Sequence, residues 1–254
     1  MKPNVRFLLT NRCTACCAYC HNEGQETRGA PLLSVQRIDS ILNKLAADGC
    51  EPEEIILSGG EPTLHKQVGH IARLCKESGA KVSMDSHGGH PQLLEAALPY
   101  IDELKLHIDS FDPEIQRVSM GIELAEVYRS INLAHSYSNL KLCINHPMRE
   151  LSETISFVKI SRELGADCKV IEMFNEINCD VLLNNLNMEE IGYTKQSDRT
   201  WIHEDGKHSV FHKNCSEISN RDNAAIFIGP GGVRRAVDGE IICMTEDFHA
   251  GLLY

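Results

Sequence analysis

The chain has 254 residues, 42% hydrophobic and 24% charged, which is enough to bury a full core and excludes a disordered or collagen-like polymer. Its formal net charge is −11 and its longest basic run is the pair Arg234-Arg235, so a nucleic-acid partner is not expected, because such binders carry a basic stripe to neutralise phosphates. No apolar stretch reaches the length that spans a bilayer, and the start "MKPNVRFLLTNRC" meets charge almost at once, so the expectation is a cytoplasmic protein with no membrane partner.

Short apolar runs rich in β-formers recur along the chain: residues 5–10 ("VRFLLT"), 54–58 ("EIILS"), 81–85 ("KVSMD"), 103–109 ("ELKLHID"), 140–145 ("LKLCIN") and 168–174 ("CKVIEMF"). Segments of helical spacing lie between them. In "SVQRIDSILNKLAADG", Val35, Ile38, Ile41, Leu42 and Leu45 share one face, Ser34 is an N-cap and Gly49 closes the end. "HIARLCKESG", "PQLLEAALPY", "ELAEVYRSINLAHS" and "SETISFVKISRELG" follow the same pattern. Alternation of strands and helices predicts right-handed parallel crossovers and an α/β sheet, either an open six-stranded barrel or a doubly wound sheet.

After about residue 175 this rhythm stops. Residues 176–254 read as an extension too short for a core of its own, polar and irregular at first, then a small hairpin in "AAIFIGPGGVRRAVDGEIICM" with "GPGG" and "DG" as turns. The expected organisation is a barrel over residues 1–175 and a cap over 176–254.

The chemistry concentrates in two loops. "NRCTACCAYCHNEG" places Cys13, Cys16, Cys17 and Cys20 within eight residues. An odd total of eleven cysteines in a reducing compartment argues against a disulfide staple and for a metal. Two parsings stand: four thiolates, with His21 as a further ligand, for structural zinc; or Cys13, Cys17 and Cys20 holding three corners of a cubane cluster, with Cys16 a bystander. The zinc parsing requires adjacent Cys16 and Cys17 both to turn toward one ion. Just past the second predicted strand, "LSGGEPTL" offers two glycines whose backbone groups can approach an amino and a carboxylate group, and Glu61, which can accept from an ammonium. Each loop follows a predicted strand, where α/β barrels place their chemistry.

With a CxxxCxxC loop after the first strand, Tyr19 before its last cysteine, and Gly59, Gly60, Glu61 and Pro62 after the second, the chain resembles the radical SAM superfamily. "ELKLHIDSFDPE" and "CKVIEMF" are similar to strands of its GTP 3′,8-cyclase branch, and the resemblance covers about residues 1–175. It implies a partial (β/α)6 parallel barrel and a [4Fe-4S] cluster on Cys13, Cys17 and Cys20, whose open iron takes S-adenosylmethionine. Gly59, Gly60 and Glu61 would hold the methionyl end, and one-electron cleavage would give a 5′-deoxyadenosyl radical that abstracts hydrogen from a substrate. Ser86, His107, Asp109, Ser110 and Asn145, at strand ends, are further candidates for cofactor contact, although His87 stands where relatives carry Asn.

Related extensions often hold a second cluster. Here Cys179, Cys215 and Cys243 lack a CxxC pair, and Ala236 stands where a cysteine is common, so the extension is expected to shape a substrate pocket instead, with Arg234, Arg235, His203, His208 and His212 available to an anion. Cys50, Cys75, Cys143 and Cys168 read as small core hydrophobes. The expected activity is radical chemistry on a small polar metabolite such as a nucleotide or nucleoside, served by an electron donor of ferredoxin or flavodoxin type. The chain starts directly at its first strand, which favours a small substrate over a leader peptide. The alternatives are a peptide-modifying enzyme with a separate leader-binding partner, and a non-catalytic zinc or cluster protein.

Overall fold

A computed structural model of the chain describes residues 4–22, 25, 32–148, 150–171, 187–197, 199–213, 225–235, 243 and 245–248. Six parallel strands form its centre: β1 (Asn4–Leu8), β2 (Glu54–Ser58), β3 (Lys81–Ser86), β4 (Glu103–His107), β5 (Lys141–Pro147) and β6 (Asp167–Ile171), paired in chain order. The helices between them are α1 (Val35–Ala47), α2 (Val68–Glu77), the short α3 (Pro91–Leu94), α4 (Pro113–Met120), α5 (Leu124–His135) and α6 (Leu151–Glu163). The six strands follow chain order without the reversal of a doubly wound sheet, and the sheet is not closed by hydrogen bonds between its end strands, as in the expected open barrel.

Local chemistry accounts for the helix boundaries. Ser34 caps α1, its hydroxyl accepting from the Arg37 N–H, and Val35, Ile38, Ile41, Leu42 and Leu45 are the residues that α1 buries. The helix α4 is absent from the sequence reading. Asp112 caps it by accepting from Glu114 and Ile115, Pro113 opens it and left-handed Gly121 ends it, all start and stop signals legible in "DPEIQRVSMG". Its apolar pattern is inverted, however: Gln116 and Met120 are buried while Ile115 and Val118 face solvent.

Alternate residues of the central strands serve two environments. Val5, Phe7, Ile55, Leu57, Val82, Met84, Leu104, Leu106 and Ile144 join the core that the helices cover. The other face is charged. On it Arg6 Nη1 meets Asp85 Oδ2 at 2.6 Å and Ser58 Oγ at 3.0 Å, Lys105 Nζ meets Glu54 Oε1 and Ser83 Oγ at 3.1 Å each, and Lys81 meets Glu103 at 2.5 Å. The inner face of the sheet is therefore polar.

The extension departs further from the sequence reading. Instead of irregular chain, β7 (Tyr193–Ser197), β8 (Thr200–His203) and β9 (Ser209–Lys213) form an antiparallel set whose last strand pairs parallel to β6. The expected hairpin is present as β10 (Ile226–Gly229) and β11 (Gly232–Arg234), with β10 parallel to β1. The extension thus lengthens the sheet at both edges to eleven strands, in the order β11-β10-β1-β2-β3-β4-β5-β6-β9-β8-β7. The "DG" turn at 238–239 lies outside the described residues.

Candidate active site

The cysteine loop leaves the C-terminal end of β1, and the glycine loop leaves that of β2 beside it. Gly60 N–H donates to the Thr10 carbonyl and Glu61 N–H to the Arg12 carbonyl, both at 2.7 Å. This approach requires glycine: a Cβ on Gly59, whose φ is +131°, would stand 2.3 Å from the Thr10 carbonyl oxygen, and one on Gly60 would stand 2.2 Å from that of Arg12. The two glycines permit one loop to lie on the other. The Gly60 amide, expected to be open to a ligand, is spent on this junction, and so is that of Glu61.

Glu61 is likewise engaged by protein groups. It is fully buried, and its Oε1 accepts from Thr63 N (3.1 Å), Thr63 Oγ1 (2.6 Å) and Ser86 Oγ (2.8 Å), while Oε2 accepts from His87 N at 2.9 Å. Its carboxylate is engaged inside the protein, fixing the end of β3 against the glycine loop. Ser86, a candidate for ribose contact, gives its hydroxyl proton to Glu61 and accepts from Gly88 N at 3.0 Å.

The cysteine loop is held at several points. Cys16 N–H donates to Met120 O at 2.9 Å, and the Cys16 sulfur lies 3.0 Å from where a Cβ on Gly121 would stand, so this side chain is directed at the end of α4. Cys13 Sγ accepts from Ala15 N and Cys20 Sγ from Asn22 N, each at 3.3 Å. Burial foremost, then the negative charge of Asp109, pushes the Cys17 thiol up to about 12; Cys20 and Cys13 add to the rise, and a hydrogen bond with Tyr19 opposes it. Three sulfurs that feel one another's charge in a half-buried loop are a donor set that a cationic metal centre stabilises, since bound cations reverse such shifts. Among the described residues no three His, Cys, Asp or Glu side chains converge as a single ion would require. A cubane takes each cysteine on a separate iron, and the three thiols of this loop are the donor type that such a cluster takes.

Tyr19 joins the loop to β4. Its hydroxyl donates to Asp109 Oδ1 and lies 2.8 Å from His107 Nε2; His107 Nε2 is itself 3.4 Å from Asp109 Oδ1. Asp109 is buried, and its N–H and that of Ser110 both donate to Gln116 Oε1 at 3.0 Å. Gln116, fully buried on α4, is a site-shaping residue that the sequence reading missed. The Ser110 hydroxyl accepts from Asp112 N at 3.1 Å and so serves the turn into α4. A second tie comes from β3: Thr14 Oγ1 is 3.1 Å from His87 Nε2 and 2.8 Å from His90 Nε2. Burial lowers the His87 pKa, His90 adds to the lowering and Glu61 opposes it, which leaves the ring neutral near pH 7.

Asn145 differs from the other candidates. It is 9% exposed, pairs in register with His107, and its Oδ1 is buried without a hydrogen-bond partner. An orphaned acceptor at a strand end is what a ligand contact leaves when the ligand is not there. The candidate cluster loop, Gly59, Gly60, Glu61, Ser86, His107, Asp109, Ser110 and Asn145 therefore do assemble at one end of the sheet, although Glu61, Ser86 and Ser110 serve the scaffold. Of the extension's candidates, His203 and His208 both face Asp205 Oδ2, at 2.9 and 2.7 Å. Cys179 and Cys215 lie outside the described residues, whereas Cys50, Cys75, Cys143 and Cys168 are buried as expected.

Comparison with known proteins places these features. The family model described as the radical SAM superfamily matches residues 7–150, more than half of the chain. A protein of Sulfolobus acidocaldarius named "Probable GTP 3′,8-cyclase" is 25% identical over 96% of this chain and 82% of its own length. A Pyrococcus horikoshii protein of the same name is 29% identical over 52% of this chain and 42% of its own. Among solved structures, Streptococcus suis SuiB bound to the precursor peptide SuiA superposes with a TM-score of 0.70 at 16% identity, over 94% of this chain and 60% of SuiB. SuiB bound to S-adenosylmethionine superposes with a TM-score of 0.67, also at 16% identity, over 92% of this chain and 60% of SuiB. The likeness to SuiB shows the fold. Among the described residues no helix is long and apolar enough to cross a membrane.

Proposed function

We infer, from a chain that belongs to the radical SAM superfamily of enzymes, that Cys13, Cys17 and Cys20 hold a [4Fe-4S] cluster and that the protein acts on a small polar metabolite such as a nucleotide or nucleoside. Membership implies an iron-sulfur cluster and S-adenosylmethionine, which together supply a 5′-deoxyadenosyl radical for hydrogen abstraction. The residues of this chain set the frame for that chemistry. Gly59 and Gly60 seat the cysteine loop against β2, Glu61 fixes the β3 turn beneath it, and Asp109 with His107 holds Tyr19. Asn145 offers an acceptor to a bound molecule.

The observation that carries the substrate reading is the charged inner face of the sheet below these loops, where Arg6, Asp85, Glu54 and Lys105 form a hydrogen-bonded lining. Such a lining suits a polar molecule, because an apolar one would strip water from these partly exposed charged groups without offering hydrogen bonds in exchange. The similarity to proteins named as GTP 3′,8-cyclases points the same way.

Anaerobic reconstitution with iron and sulfide, followed by dithionite and S-adenosylmethionine, tests the reading. About four irons per chain and formation of 5′-deoxyadenosine are expected for one cubane. Bound zinc without cleavage would overturn the enzyme reading, and dependence of turnover on a peptide would overturn the small-substrate reading.

A further inference from the structure

The hydroxyl of Thr14, one residue past the first cysteine of the loop, is bracketed by the turn that follows β3. Its Oγ1 lies 3.1 Å from His87 Nε2 and 2.8 Å from His90 Nε2, and the two rings stand edge to face with their centres 5.3 Å apart. The proton positions follow from the partners. Gly89 N–H donates to His87 Nδ1 at 2.9 Å, so that nitrogen offers its lone pair and the neutral ring carries its proton on Nε2. There it faces two acceptors, Thr14 Oγ1 and, at 3.3 Å, Glu61 Oε2. A hydroxyl that accepts from His87 keeps its own proton for His90 Nε2, the shorter of the two contacts.

This bracket is anchored in the scaffold and ends beside a cluster ligand. His87 is 5% exposed, and its N–H donates at 2.9 Å to the buried Glu61 carboxylate. One residue thus holds the glycine loop with its backbone and the cysteine loop with its ring. The peptide after Thr14 puts the Ala15 N–H on Cys13 Sγ at 3.3 Å. Hydrogen bonds to the sulfurs are among the factors that set the potential of an iron-sulfur cluster, and each one favours the more negative, reduced state.

We propose that His87 and His90 are positioning residues for the cluster loop: through the Thr14 hydroxyl they fix the Thr14-Ala15 peptide so that its N–H stays on Cys13 Sγ, and so raise the reduction potential of the cluster. This rests on the assignment of a cluster to Cys13, Cys17 and Cys20 above and adds to it the groups that tune it. Neither histidine is a ligand or takes part in the hydrogen abstraction. Both act through Thr14, which is exposed, so replacing it leaves the core intact.

The test is a redox titration of the anaerobically reconstituted full chain without S-adenosylmethionine, followed by the electron paramagnetic resonance of the reduced cluster. Thr14→Val keeps the shape of the side chain and removes the hydroxyl. It is expected to bind the wild-type amount of iron and sulfide, while its reduced-to-oxidised ratio at a fixed potential falls about threefold or more, about 28 mV for a one-electron couple. Thr14→Ser should restore the wild-type value. His90→Phe, which keeps a ring beside His87 but no acceptor, should shift the potential in the same direction as Thr14→Val, and it decides in its place if Thr14→Val takes up no cluster. An unmoved potential overturns the proposal, and so does an equal shift in Thr14→Ser, which would show that the hydroxyl is not the acting group. A wild-type chain that takes up no cluster overturns the assignment beneath the proposal, whereas a wild-type cluster that Thr14→Val leaves unmoved overturns the tuning alone.

Discussion

The Gly60 amide donates to the Thr10 carbonyl at 2.7 Å, and this bond joins the glycine loop to the stem of the cysteine loop. The first prediction follows from how closely the chains pass. Gly60→Ala would drive a Cβ to 2.2 Å from the Arg12 carbonyl oxygen, against backbone that no rotamer change can move. We expect a loss of about 2 kcal/mol or more in unfolding free energy of the metal-free chain. Iron uptake should fall with it. Gly59→Ala adds the cost of its φ of +131° and should be worse, whereas Gly49→Ala, with nothing within 4 Å of its Cβ, should cost only the strain of a left-handed residue, about 1 kcal/mol. Denaturant titration of the three variants gives the ranking, and equal losses would mean that the loop junction is soft.

Cys16 and Cys17 are neighbours in sequence with opposite expected importance. Cys17 shares its environment with Cys13, Cys20, Tyr19 and Asp109, whereas Cys16 is directed at Gly121. Cys17→Ala should abolish the iron-sulfur absorption after reconstitution and with it 5′-deoxyadenosine formation. Cys16→Ala should retain iron and sulfide near the wild-type ratio. If Cys16→Ala loses the cluster instead, the ligand set assigned here is wrong.

The two loops and the central barrel were legible because their residues obey local rules. The strands at 54–58 and 81–86 are short runs between clear turn signals, and Cys13, Cys17, Cys20, Gly59 and Gly60 are short-range patterns. What escaped depends on contacts distant in sequence. The amide of Gly60 looks open until the cysteine loop packs on it, and α4 hides because Gln116 is buried there while Ile115 and Val118 are exposed. The strands β7, β8 and β9 are short and polar-rich, "YTKQS", "TWIH" and "SVFHK", and gain strand partners only from β6 and one another. Their one clear local signal is the Asp205-Gly206 turn, with Gly206 at φ +67°.

Glu61 separates a scaffold role from a cofactor role. Removing a fully buried carboxylate that accepts from Thr63, Ser86 and His87 leaves several donors unsatisfied. Glu61→Ala should therefore destabilise the metal-free protein by about 3 kcal/mol or more, and Glu61→Gln by less because its amide oxygen still accepts. Melting curves without cofactor are the deciding measurement. Unchanged stability with lost S-adenosylmethionine affinity would return Glu61 to the ligand role that its motif suggests.

The inner-face pair Arg6 and Asp85 gives a pH-dependent prediction. Burial by itself would raise the Asp85 pKa, but the charges of Arg6, Lys105 and Lys169 outweigh it and hold the carboxyl well below the usual carboxylate range. A depressed folded-state value contributes stability that is full above the unfolded pKa of about 3.9 and is lost as pH falls through the folded one. Wild-type protein should accordingly keep this contribution at pH 5 and lose it only in strong acid. Arg6→Met removes the nearest cation and leaves a half-buried carboxylate without its partner, which should cost about 2 kcal/mol at pH 7. The deficit should shrink as the solution is acidified, because the stranded Asp85 now titrates higher and can take a proton. Asp85→Asn in the Arg6→Met background should recover much of the loss at pH 7 by removing that charge. Urea unfolding at pH 5 and pH 7 for the three proteins measures this, and a deficit independent of pH would show that Arg6 contributes through its packing on Phe227, 5.7 Å from the ring centre, and not through its charge.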